Sequence, residues 1–165
     1  MTRGEASYLW QGPEEEGPLA RVRGEGERME VQEIMTGNPE YAEVSDPVRT
    51  VFLKLVEIDV RHLPIVDEGE LVGMISDRDL RGFILPMASE LETVNTADAR
   101  FERAISDLMQ GDVISVSPST EVGEVIDLMI DQRVGAIPVV DPVNGTLMGI
   151  VSYVDVIREA RGFFG

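Results

Sequence analysis

The apolar positions of this chain fall into two matching sets. Val48, Val51, Phe52, Leu55 and Val56 are spaced i, i+3, i+4, i+7, i+8, and Val122, Val125, Ile126, Met129 and Ile130 repeat that spacing. Each set lies on one face of a helix, which predicts two amphipathic α-helices with a buried stripe. Ser45 and Pro47 before the first set, and Ser119 and Thr120 before the second, are helix-start signals. A short apolar run follows each helix, HLPIV at 62–66 and AIPVV at 136–140, and predicts a buried strand. A turn comes next, with Asn144-Gly145 in the second copy suggesting a hairpin. A second apolar strand, LVGMIS or LMGIVS, then runs into another helical segment, DRDLRGFIL or YVDVIREAR.

The two sets are copies. Met35, Gly37, Ser45, Val60, Pro64, Val66 and Asp67 recur 74 residues later as Met109, Gly111, Ser119, Val134, Pro138, Val140 and Asp141. Beyond the turn, Gly73 and Ser76 recur 76 residues later as Gly149 and Ser152, because DPVNGTL is two residues longer than DEGEL. Turns absorb such insertions readily. Each copy reads strand, helix, strand, strand, helix, after a short helical lead-in, VQEIM or ISDLM. A unit of about 50 residues buries too little apolar surface alone, so the copies are expected to share a core.

The ordered set of IM, HLPIVD and GMISDRD, matched by LM, AIPVVD and GIVSYVD, resembles a tandem pair of cystathionine-beta-synthase (CBS) domains, a Bateman module. The resemblance covers about residues 29 to 161 and implies an α+β fold of two β-α-β-β-α units in pseudo-twofold packing. The organisation expected is an acidic, flexible extension at 1–28, a first repeat at 29–85, a polar linker at 86–100 and a second repeat at 101–165. The function implied is a stand-alone regulatory module, without catalysis, that binds adenosine nucleotides (AMP, ADP or ATP) between the repeats. It would signal to a separate protein partner and pair into a disc-like homodimer. A magnesium ion could accompany a polyphosphate. Two alternatives stay open: a ligand-free scaffold of the same fold, and a binder of another adenosyl ligand such as S-adenosylmethionine.

Charge and composition narrow the partners. The formal net charge is -17 over 165 residues, and Lys54 is the only lysine among 14 basic residues. That field repels nucleic acid and anionic membrane surfaces, and no basic run offsets it. There is no cysteine and one histidine, His62, which excludes thiolate and His-rich metal centres. No apolar run approaches the roughly 20 residues needed to cross a bilayer, and the N-terminus lacks the apolar stretch of a signal peptide. A soluble cytoplasmic protein is expected. Tyr8-Leu9-Trp10 stands out within the extension as a docking segment or partner hook, and Phe163-Phe164 as a packing or interface element.

The candidate ligand residues follow from chemistry. Ser76 and Ser152 stand where a strand ends and a helix begins, a position that favours phosphate. Asp79 and Asp155, three residues on, offer carboxylate oxygens suited to paired ribose hydroxyls. The same Ser-x-x-Asp spacing also suits helix capping, and the two roles are compatible. Tyr41 aligns with Ser115, His62 with Ala136 and Pro64 with Pro138, giving candidate walls that, by the resemblance, receive adenine. Arg78, beside Asp77, suits phosphate by its bidentate fork. The second copy has Tyr153 and Val154 at those two positions, with Arg133 or Arg158 as substitutes. The expectation is two unequal sites, with the better charge match at the first. An enzymatic use of Asp77 and Asp79 as acid and base lacks any supporting nucleophile or metal cluster.

Overall fold

The structure is a computed structural model and describes residues 28–88 and 99–163. The strands are β1 (Thr36–Gly37), β2 (Ala42–Glu43), β3 (His62–Asp67), β4 (Glu70–Ser76), β5 (Ala136–Val140) and β6 (Leu147–Ser152). The helices are α1 (Val48–Glu57), α2 (Asp77–Ala88), α3 (Val122–Gln132) and α4 (Tyr153–Ala160). They form two sheets, ordered β2-β3-β4 and β1-β6-β5. The two apolar runs are strands, the turns after them close antiparallel hairpins, and the amphipathic segments are helices, as the periodicities require. In the first hairpin Glu68 and Gly69 both have positive φ, +49° and +89°, the geometry of a type I′ turn.

The lead-ins behave differently from the repeat read along the chain, because each docks on the other copy. Thr36 and Gly37 of the first copy pair antiparallel with Ile150 and Gly149 of the second. Gln110, the counterpart of Thr36, pairs with Met74 of the first. Val31 is buried in the core with Val125, Ile137, Val139 and Val151, whereas its counterpart Ile105 is buried with Val51, Leu63 and Ile75. The two cores are completed reciprocally, which ties the copies together more tightly than surface contact would.

The exchange also explains the helix starts. The N-cap residues are Pro47 and Glu121, neither with a side-chain cap, rather than Ser45, Ser119 or Thr120. Thr120 instead accepts from the Ser117 amide at 3.1 Å. The first amide of α1, at Val48, donates to the Arg103 carbonyl, and that of α3, at Val122, donates to the Met29 carbonyl, both at 2.9 Å. Each lead-in therefore satisfies a helix-end donor of the other copy that would otherwise need a capping side chain.

Two further differences concern the helices. Val56 and Ile130 are exposed, at 64% and 57%, so the buried stripes are Val48, Val51 and Leu55 on α1, and Val125 and Met129 on α3. A helix drifts about 100° per residue, and the eighth position lies beyond the stripe once the sheet is covered. Helix α2 runs on through Ala88, past the start expected for the linker. The last residues of that linker open a 3-10 helix, Ala99–Glu102, whose Phe101 is buried edge-on to Phe52 and Phe83 in the first core. The motif Tyr8-Leu9-Trp10, the rest of the extension up to residue 27, and Phe164 lie outside the described residues.

Candidate functional site

Strand pairing brings the ends of the two copies to one place. His62 stands opposite Ser76 and Ala136 opposite Ser152, each where a hairpin strand hands over to a helix. The Asp77 amide donates to the Arg61 carbonyl at 3.0 Å, and the Tyr153 amide donates to the Gly135 carbonyl at 3.1 Å, so the two handovers are built alike. Across the junction the His62 ring packs on Gly135. A Cβ on Gly135 would lie 3.1 Å from the ring's Cε1, so the copies meet closely here.

A cavity of about 640 Å³ opens at this junction. One wall is the lead-in of the first copy with the loop before β3, including Thr36, Asn38, Glu40, Asp59 and Arg61. The other wall is the second copy, including Ile150, Tyr153 and Arg158. His62, Pro64, Ala136, Ser152, Asp155 and Arg158, six of the residues singled out in the sequence, share this lining. Ser76, Asp77, Arg78, Asp79, Tyr41, Ser115, Pro138 and Arg133 lie outside it. Tyr41 is exposed, its carbonyl taken by the Lys54 ammonium at 2.6 Å. Pro138 is buried in β5, and Arg133 ends α3 in the left-handed region at φ +55°. The lead-in residues Thr36, Asn38 and Glu40 were not among the sequence candidates because they pack on the opposite copy, a crossing that the repeat offset leaves undecided.

Both Ser-x-x-Asp motifs cap their helices. The Asp155 Oδ2 accepts from the Ser152 amide at 2.9 Å and from its hydroxyl at 2.6 Å, and Asp79 accepts from the Ser76 amide at 2.9 Å in the same way. One oxygen of each carboxylate, Oδ2, is thus committed to the cap, while Oδ1 takes a second partner. The partners of that oxygen differ. Asp79 Oδ1 accepts from Gln110 Nε2 at 3.3 Å, whereas Asp155 Oδ1 accepts from Arg158 at 2.8 Å. Arg158 is 71% exposed, whereas the Asp155 side chain it pairs with is 11% exposed. A carboxylate has about four lone-pair positions, so Asp155 retains capacity for a hydroxyl donor. Arg78 is exposed at the start of α2, while its neighbour Asp77 pairs with Arg81 at 3.0 Å.

Burial lowers the pKa of His62 below its ordinary value; Asp77 and Asp79 oppose that shift and Arg61 adds to it. The ring is therefore neutral at pH 7 and offers the cavity a flat, uncharged face. The folded protein holds this proton more weakly than the unfolded chain does. The group contributes nothing above a pH of about 6.5, and it destabilises the fold as the pH falls below that value. We expect the urea midpoint of the wild type to fall more steeply than that of His62→Gln between about pH 6.5 and 5. Parallel curves for the two proteins would refute the assignment.

Among the described residues there is no group of three or more His, Cys, Asp or Glu arranged for a metal ion, and no helix long and apolar enough to cross a membrane. The cavity's features are an apolar slot, a neutral imidazole, a capped serine with a carboxylate, and two arginines. They suit an aromatic base with a polar, hydroxyl-bearing tail.

Comparison with known proteins gives the same family twice along the chain: the CBS domain model matches residues 31–86 and 105–162. The uncharacterised protein YlbB of Bacillus subtilis is 33% identical over 129 residues, covering 76% of this chain and 78% of its own. Another curated relative, from Methanocaldococcus jannaschii, is longer, and this chain spans 46% of it. Among solved structures, CBSX2 in complex with AMP superposes with a TM-score of 0.68 at 28% identity, over 82% of this chain and 98% of that one. The CBS domain pair of protein MJ0100, in complex with 5′-methylthioadenosine and S-adenosyl-L-methionine, gives 0.66 at 26% identity, over 82% and 98%.

Proposed function

This chain belongs to the CBS-domain family, and from that premise we propose that it is a regulatory module whose cavity at the repeat junction binds an adenosine nucleotide. The observation that carries the reading is the shared lining: His62, Pro64 and Ala136 beside Ser152 and Asp155, drawn from both copies, in a space of about 640 Å³. That volume lies within the range of small-molecule sites, roughly 300–1,000 Å³. Adenine lies in the apolar slot against the His62 ring and Pro64. A ribose hydroxyl donates to Asp155, and the phosphate meets Ser152 and the start of α4. The AMP complex of CBSX2 supports this ligand class; the complexes of MJ0100 keep S-adenosylmethionine-type ligands in view.

Because both copies line the cavity, a ligand there contacts both and favours the relative placement of the copies that fits it. A partner protein that distinguishes the two placements reads the ligand. Exposed Leu53 and Val56 on α1, and Ile130 on α3, support pairing of two such modules through their helices. The test is calorimetric titration with AMP, ADP, ATP and S-adenosylmethionine, with the mass in solution followed by sedimentation. Saturable binding by a dimer is expected. A folded protein that binds none of the four refutes the ligand reading, and a monomer at all concentrations refutes the pairing.

A further inference from the structure

The charges around the cavity distinguish one adenosine nucleotide from another. Most are already matched. Asp155 pairs with Arg158 at 2.8 Å, and Glu40 pairs with Lys54 at 2.9 Å. Two lining charges form no ion pair among the described residues, Arg61 and Asp59. Arg61 Nη1 donates to the Tyr153 hydroxyl at 3.4 Å, which ties this guanidinium to the side chain of the first residue of α4. Asp59 stands two residues earlier, on the same loop, with its backbone in the left-handed region at φ +51°. Its counterpart in the second copy is Arg133, at φ +55° in the same conformation, and outside the cavity. The repeat thus carries opposite charges at one structural position, and the acidic one faces the cavity.

We propose that Asp59 is a specificity determinant that limits this cavity to adenosine ligands with no more than one phosphate. The proposal rests on the adenosine reading above. A single phosphate at the start of α4 has one uncommitted cation, Arg61, to meet it. A second or third phosphate carries further negative charge into a space bounded by Asp59 and Glu40, with no further unpaired lining cation among the described residues. At the separations such a cavity permits and an intermediate effective dielectric, each added phosphate costs about tenfold in affinity.

The experiment is calorimetric titration of adenosine, AMP, ADP and ATP without magnesium, which would mask the phosphates, at constant ionic strength. The cavity's signal is identified as the part that Asp155→Ala removes. The wild type is expected to bind adenosine and AMP, with about tenfold weaker binding for ADP and weaker again for ATP. Asp59→Arg places the second copy's own residue on the backbone conformation that already holds it there. It should raise the affinity for ATP relative to AMP at least tenfold and leave adenosine unchanged, with Asp59→Asn intermediate. The proposal is overturned if the wild type holds ATP as tightly as AMP, or if neither variant moves that ratio. Failure of the wild type to bind even adenosine and AMP instead overturns the adenosine reading, and this proposal with it.

Discussion

Replacing Asp155 with alanine is expected to weaken AMP binding at the cavity about a hundredfold. A charge-assisted hydrogen bond is worth roughly 1.5–3 kcal/mol, and a ribose hydroxyl on a carboxylate that is 11% exposed falls toward the upper end of that range, which corresponds to about a hundredfold. The same substitution removes the acceptor of the Ser152 amide and hydroxyl, which loosens the start of α4 by about 1 kcal/mol. Folding must therefore be checked separately, by a thermal melt of each variant. Asp79→Ala is the matched control. It removes the same kind of cap from α2, with a similar loss of stability, but lies outside the cavity lining. If both variants weaken the main AMP signal equally, the effect is one of stability and the placement of the ribose is wrong. If Asp155→Ala binds AMP as the wild type does, the carboxylate is only a cap.

Gly149→Ala is expected to lower stability by roughly 2–3 kcal/mol, the usual scale for overpacking at a site that cannot relax cheaply. The lead-in of the first copy crosses β6 directly over this glycine. A Cβ there would lie 2.5 Å from the Met35 sulfur and 3.1 Å from the Thr36 carbonyl oxygen. Methionine can yield, but the carbonyl belongs to the β1–β6 pairing itself. Gly73→Ala meets Met109 and the Gln110 carbonyl in the same way on the other sheet, and a similar loss is expected. Gly123→Ala, with open space around its Cβ, lies within α3 and should be neutral or gain up to about 1 kcal/mol. Urea unfolding of the three variants reads the differences. A Gly149→Ala protein as stable as Gly123→Ala would mean that the lead-in does not pack on β6 as described.

The elements were legible because each has a period of its own. The stripe beginning at Val48 and the run HLPIV admit little besides a helix and a strand, and the 74-residue offset doubles every observation. The exchange of lead-ins was not legible, for a symmetric reason. Val31 and Ile105 are equivalent in sequence, so the apolar pattern is equally satisfied whether each packs on its own copy or on the other. Only the geometry of the connection decides, and no single residue encodes it. The helix starts followed from that gap. Ser45 and Ser119 look like caps, but the amides they would satisfy are taken by Arg103 and Met29, distant along the chain.

The site was legible by parts. Ser152 and Asp155 announce themselves by spacing, and His62 and Ala136 by alignment. The balance between the two clefts was not, because it depends on long side chains from other elements. Arg78 suggested the better charge match in the first copy, yet it is exposed, and Gln110 reaches Asp79 from the opposite lead-in. Glu40, Asp59 and Arg61, ahead of β3, together with Asp155 and Arg158 on α4, are the charges that border the described cavity.

The most direct test of the central claim, that an adenosine ligand occupies the repeat junction, is a crystal structure of the protein grown with AMP. The expected result is density in the cavity with the base against His62 and Pro64, a ribose hydroxyl on Asp155, and the phosphate at Ser152 beside Arg61. AMP bound elsewhere, or a cavity empty at saturating AMP, would contradict the claim.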